Sequence, residues 1–162
     1  MKLELKGINI PKDANVILGQ AHFIKTIEDI YEIIVSSNPN AKFGIAFSEA
    51  SGDCLVRSEG NNEELVDIAV KNLVDLACGH SFIVVLKNAF PINVLNAIKN
   101  CQEVASVFCA SANEIKVVVA YDDDGNGGIL GVIDGLKPKG IENLEHKDKR
   151  KSFLRKIGYK LS

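Results

Sequence analysis

Five consecutive apolar residues, Phe82-Ile83-Val84-Val85-Leu86, cannot alternate between a wet and a dry face, so a strand built from them must be covered on both sides. Such a strand belongs inside a sheet flanked by two further layers. The surrounding sequence supplies them. Ile27, Ile30, Tyr31 and Ile34 recur at helical spacing, as do Leu65, Ile68, Ala69, Leu73 and Leu76, and again Ile92, Leu95 and Ile98 after Pro91, a residue suited to a first helical turn. Strand patterns cover residues 1–10, 16–18, 42–47, 54–57, 104–112, 115–121 and 129–134, and the basic stretch 147–156 closes with a helix. Residues 42–47 and 54–57 read as one hairpin. The strands flanking Asn113-Glu114 read as another, with an imperfect two-residue turn. Strands that alternate with helices but include hairpins predict an α/β fold, a three-layer α/β/α sandwich with a mixed sheet, in a single domain over 1–162.

Charge and cysteine usage exclude several functions. A net charge of -2 with 25% charged residues offers no dedicated polyanion surface, so nucleic acid is not expected as a partner. Cys54, Cys78, Cys101 and Cys109 are scattered, with no CxxC pair to suggest zinc or redox work, and read as buried free thiols. No apolar run reaches the ~18 residues of a membrane span and no charged-then-apolar leader opens the chain. The expectation is a soluble cytoplasmic protein without a membrane partner.

Chemistry is densest between Gly19 and Glu32, where a short apolar strand runs through His22 into a helix. Thr26 reads as the N-cap, with Glu28 and Asp29 in the first turn. His22 would then lie near the open amides and positive dipole end of that helix, a setting that suits anions. An imidazole there can act as general base, phosphate ligand or phosphoryl acceptor, and Lys25 can neutralise the developing charge. A second polar group follows the buried strand at 42–47. Glu49 and Ser51 in that loop, with Arg57 on the return strand, could meet a ribose and a phosphate, or form an ordinary ion pair. His80 precedes the apolar run and fits either a buried structural role or a catalytic one. His146 lies in a charged tail and reads as solvated.

Two phosphate motifs are ruled out. Gly125-Asn126-Gly127-Gly128 leads into a strand and not a helix, so it is no dinucleotide fingerprint, and no Walker loop is present. Asp122-Asp123-Asp124 could attract Mg²⁺, against the plainer reading of a solvated loop tip. No other cofactor and no protein-ligated metal is indicated.

Several blocks together carry a resemblance: Gly19 to Asp29, Phe43-Gly44-Ile45-Ala46-Phe47-Ser48-Glu49-Ala50-Ser51-Gly52, Gly79-His80-Ser81-Phe82, Phe90-Pro91-Ile92-Asn93, Phe108-Cys109-Ala110-Ser111-Ala112-Asn113, Gly128 to Gly135 and Phe153 to Tyr159. In order and spacing they resemble the archaeal and bacterial adenosine-specific kinase family over nearly the whole chain. The resemblance implies a three-layer α/β fold, a homo-oligomer expected to be a trimer, binding of adenosine or AMP in preference to ADP or ATP, and a histidine able to carry a phosphoryl group. His22 and His80 both lie in these blocks, and His22 is favoured for its helix-start setting. Glu49, Ser51 and Arg57 become ribose and phosphate contacts, and Phe47 or Phe108 stacking faces for adenine. Two reading frames follow: a phosphotransferase with an unassigned donor, or a non-catalytic adenosine/AMP-binding or sensory module whose histidine is modified. Ser48 stands where the family commonly has cysteine. Gly127 stands where an arginine often occurs, a lost phosphate contact for which nearby Lys137 or Lys139 would have to compensate.

Overall fold

The computed structural model describes residues 1–161 and makes the run at 82–86 the middle strand of a five-stranded sheet. In chain order the elements are β1 (Lys2–Gly7), β2 (Asn15–Ala21), α1 (Thr26–Ser37), β3 (Lys42–Ser48), β4 (Val56–Gly60), α2 (Glu63–Leu76), β5 (Ser81–Lys87), α3 (Pro91–Lys99), β6 (Val104–Ser111), β7 (Ile115–Tyr121), β8 (Gly127–Asp134) and α4 (Leu144–Lys156). The large sheet has the order β4-β3-β5-β2-β6, and β1-β7-β8 form a smaller one.

Parity along β5 sets the layers. Phe82, Val84 and Leu86 enter a core with Ile27, Ile30 and Ile34 of α1 and Val94 and Ile98 of α3. Ile83 and Val85 enter the opposite core, closed by Leu65, Ala69, Leu73 and Leu76 of α2 and by Ile115, Val117 and Val119 of β7. Each such side chain contributes roughly 1.5–3 kcal/mol when fully buried, so both faces of the run are in use. The layers are α1 with α3, the large sheet, and α2 beside the small sheet.

The expected three layers stand, but the sheet is not mixed. Every pairing between named strands is antiparallel. The helical crossovers explain why helices and antiparallel pairing coexist. α1 joins β2 to β3, which run the same way, yet β5 lies between them and runs against both. α2 likewise joins β4 to β5 across β3, and α3 joins β5 to β6 across β2. Each crossover skips one strand, and the gap is filled by a strand of opposite direction.

The second expected hairpin is also corrected. β6 pairs with β2 at the edge of the large sheet, whereas β7 lies between β1 and β8. Ile115, Val117 and Val119 are needed over the second core, so Asn113-Glu114 passes the chain between sheets. Ser111 Oγ and Asn113 Nδ2 both donate to Asp134 Oδ1, at 2.6 and 3.0 Å, which pins that passage to the end of β8.

Candidate functional site

Antiparallel order brings the C-terminal ends of β2 and β3 to the same edge as the N-terminal ends of β4, β5 and β6. Four chain segments are stitched together there. Ala21 N–H donates to the His80 carbonyl at 2.9 Å, His80 N–H to Ser48 at 2.8 Å, and His22 N–H to Glu103 at 3.0 Å. The edge therefore gathers His22, Lys25, Glu49, Arg57 and His80, residues that sequence reasoning takes from three separate stretches.

The start of α1 differs from expectation. Thr26 is the first helical residue and not the cap; it is buried, and its Oγ1 donates back to the Phe23 carbonyl at 2.6 Å. The amides of Thr26, Ile27 and Glu28 donate to the carbonyls of Phe23, Ile24 and Lys25 in tight turns. Those amides are thus engaged and not open to an anion, and the positive charge here comes from side chains. Lys25 is exposed and hydrogen-bonded to Asp29, a contact that raises the lysine above its ordinary range.

Glu49 organises the second wall. Its Oε2 accepts from Leu55 N–H and its Oε1 from Arg57 Nη2, each at 2.9 Å. These bonds, the backbone one first, hold the Glu49 carboxyl below the usual range. Arg57 Nε is buried and has no hydrogen-bond partner. A donor left this way favours an oxygen supplied by a ligand. Ser51 is exposed in the intervening loop, where its carbonyl accepts from Cys54 N–H at 3.3 Å.

His80 takes the structural role weighed from sequence. Its backbone is a seam between β2 and β3, held at φ 58°, and its half-buried ring stacks on Phe47 with centroids 6.0 Å apart. Phe47 itself is 1% exposed and has no free face for adenine. Phe108 lies within β6, packed against the α2-side core, away from the edge. Neither ring is placed to stack on a ligand at this edge.

Two residues at the edge escape sequence reasoning. Phe23, beside His22, is an aromatic ring 52% exposed at this edge. Glu103 is buried, and its Oε1 has no hydrogen-bond partner and lies 4.0 Å from Lys25 Nζ. The available signal was only an acidic residue immediately ahead of an apolar strand.

The Gly127 position also has a structural reading. A Cβ there would lie 2.7 Å from Cys78 Sγ and 2.9 Å from the Ala77 carbonyl oxygen, and Gly127 N–H donates to that carbonyl at 2.8 Å. The chain is too close to the end of α2 for an arginine. Lys137 and Lys139 follow Asp134, which is bonded to Ser111 at the far end of β6.

Other polar clusters lie elsewhere. The Asp122 carboxylate accepts from the amides of Asp124 and Asn126 and from Asn126 Nδ2, and Asp123 meets the Met1 ammonium at 3.0 Å. Among the described residues no three His, Cys, Asp or Glu side chains are grouped to hold a metal ion. An open depression of about 550 Å³ lined by Ile8, Asn15, Phe90 and Asn113 sits at the opposite end of the large sheet. It contains none of the candidate residues. His146 caps α4, its Nδ1 accepting from Asn143 N–H at 3.2 Å.

Comparison with known proteins bears on the whole chain. The model of the family described as adenosine specific kinase matches residues 7–160. The crystal structure of the PH1918 protein from Pyrococcus horikoshii OT3 is similar, with 41% identity, a TM-score of 0.93 and 99% of each chain covered. No curated protein matches. The family match runs through all the segments that meet at the sheet edge, and on its extent the chain belongs to the adenosine specific kinase family.

Proposed function

We propose that the chain is an adenosine/AMP-binding phosphotransferase whose site is this sheet edge. The observation that carries the reading is the convergence of His22, Lys25, the Glu49–Arg57 pair and His80 on one edge in a member of that family. His22 accepts or relays the phosphoryl group, Lys25 and Arg57 neutralise its charge, and Glu49 with Ser51 orients the ribose hydroxyls. Phe23 offers adenine a ring, and His80 lines the pocket from the β5 end. Transfer joins the donor phosphorus to an imidazole nitrogen as the donor's leaving group departs, and then to the 5′ oxygen of adenosine as the N–P bond breaks and the hydroxyl proton passes to the released imidazole.

Calorimetry with adenosine, AMP and ATP is expected to show binding of the first two and weak or no binding of ATP. Incubation with labelled phosphate donors and adenosine is expected to yield AMP, and His22→Ala to abolish it. No heat with any of the three ligands would overturn the reading, and label retained on His80 would overturn the role of His22. Stable label without AMP would favour a binding or sensory module.

The assembly we propose is a homotrimer in the cytoplasm. No described helix is long and apolar enough to cross a membrane, and all four cysteines are free, which suits a reducing compartment. The small sheet turns Leu3, Leu5, Leu130 and Ile133 outward, each at least half exposed, a face that supports contact between copies. Light scattering is expected to give three times the 17.6 kDa chain mass, and Leu5→Glu to lower it. A monomer would overturn this.

A further inference from the structure

Residues 1–134 carry 10 Lys or Arg against 18 Asp or Glu, whereas residues 135–162 carry nine against three. An acidic body is thus followed by a basic arm. From Leu136 to Leu161 only Leu154 is half-buried and every other residue is exposed, so α4 is not packed into the chain that carries it. A helix of 13 residues is marginal when it packs against nothing. This one ends in an apolar cluster, Phe153, Leu154 and Ile157, which share one side of its last turns, with Phe153 57% exposed. Residues 135–143 join α4 to β8 and can span about 30 Å.

The outward face of the small sheet is the matching surface. Leu3 and Leu5 of β1 pair with Ala120 and Val118 of β7, and these pair in turn with Gly128 and Gly131 of β8. A Cβ at Gly131 would meet nothing within 4 Å. The glycines lower the β8 side of the face and leave room beside Val118 for a large side chain. Acidic residues mark both ends: Asp122, Asp123 and Asp124 in the turn from β7 to β8, and Glu114 with Asp134 opposite, where Lys116 also sits. Strands β7 and β8 are about 25 Å long and α4 about 20 Å, so the helix fits along the sheet.

We propose that α4 of one copy docks on the outward face of the small sheet of the next copy, its apolar cluster over Leu5 and Gly131 and its lysines and arginines against the acidic ends. This docking rests on the homotrimer reading and gives it a geometry. If the sheet face met its own equal, the contact would be two-fold and would stop at a dimer. A helix on a sheet is a head-to-tail contact, in which each copy gives one arm and receives one, and such contacts close into rings. Charge selects the same occupant. A polyanion or an anionic membrane would attract the arm but repel the body that carries it, whereas a second copy presents an acidic body to a basic arm.

The test uses the full chain. Light scattering of Phe153→Asp/Ile157→Asp is expected to give the 17.6 kDa mass of one chain, a threefold fall from wild type, with the circular dichroism of the folded sheets retained. A second measurement reads the contact itself. Chains carrying Leu5→Cys and chains carrying Phe153→Cys, both in a Cys54→Ser background, are co-expressed and treated with a short bis-maleimide. The expected product joins one kind of chain to the other, as read by peptide mass. A wild-type mass in Phe153→Asp/Ile157→Asp, without that product, would overturn the docking and leave the homotrimer standing. A product joining two Leu5→Cys chains would mean that sheet meets sheet. A bridge formed within a chain carrying both changes, and not between chains, would mean that the arm lies on its own body; either result would overturn the docking. A wild-type monomer would remove the homotrimer reading and the docking with it, and binding of that monomer to vesicles of anionic phospholipid, lost in Phe153→Asp/Ile157→Asp, would assign the arm to a membrane instead.

Discussion

Gly44→Ala is expected to cost about 3 kcal/mol of stability. A Cβ at Gly44 would lie 2.2 Å from Leu65 C and Val66 N and 2.3 Å from the Leu65 oxygen, all backbone atoms of α2. None of these can rotate away as a flexible side chain could, so β3 or the helix must move. The helix is not free to move. Asn62 caps it by accepting from Leu65 N–H at 3.0 Å, and Asn61 ties the preceding turn to Phe43 N–H at 3.0 Å and the Ala41 carbonyl at 2.8 Å. The cross-strand partner Gly60 is equally close, its Cβ position 2.4 Å from the Phe43 oxygen. The start of α2 is therefore seated on a pair of glycines. Denaturant midpoints would check this against Gly7→Ala, where nothing lies within 4 Å and a change within about 0.5 kcal/mol is expected. Equal midpoints for the two variants would mean that α2 does not sit where it is placed.

The layers were legible because they follow from burial alone. A run such as Phe82–Leu86 has to be covered twice, and the apolar stripes of α1, α2 and α3 were strong enough to supply both covers. Strand direction was not legible. Periodicity says which faces of β2 and β3 are buried, but not that β5, distant in sequence, would come between them. For the same reason Asn113-Glu114 resembled a hairpin turn. Whether β6 pairs with β7 or with β2 is decided by which core each must close, and that is a long-range fact.

At the site, polar residues that directly follow or precede buried strands were legible: His22 after β2, Glu49 after β3 and His80 before β5. The rings were not. Phe47 and Phe108 satisfy an apolar pattern equally well as stacking faces or as core; packing makes Phe47 core and leaves Phe108 half-buried against the opposite core. Open amides at the start of α1 were a fair inference from Thr26, but burial of that threonine turns its hydroxyl toward Phe23 and closes the turn differently. Glu103 was illegible because a single glutamate before a strand is ordinary; its burial beside Lys25, more than seventy residues earlier in the chain, is a long-range fact.

Arg57→Met is expected to weaken AMP binding roughly 10- to 100-fold and adenosine binding less than about threefold, in line with ~1.5–3 kcal/mol for a hydrogen bond to a charged group. Methionine preserves an apolar stem and removes the guanidinium, so packing and charge are separated. In the ligand-free chain one nitrogen of Arg57 is committed to Glu49 while Nε is buried and unpaired, and a phosphate oxygen would supply the missing acceptor. Adenosine has no such oxygen. The pairing also predicts a pH response. The Glu49 carboxyl is depressed in the folded chain, so its contribution to stability is present above the ordinary carboxylate range and is lost as pH falls through the lowered folded value. Over that acid window the bonds to Leu55 and Arg57 are lost together, and AMP binding is expected to fall with them in the wild type. Titrating AMP and adenosine into both proteins at neutral pH decides the matter. Equal losses for the two ligands would make Arg57 a packing residue of the loop, and no loss for either would remove it from the site.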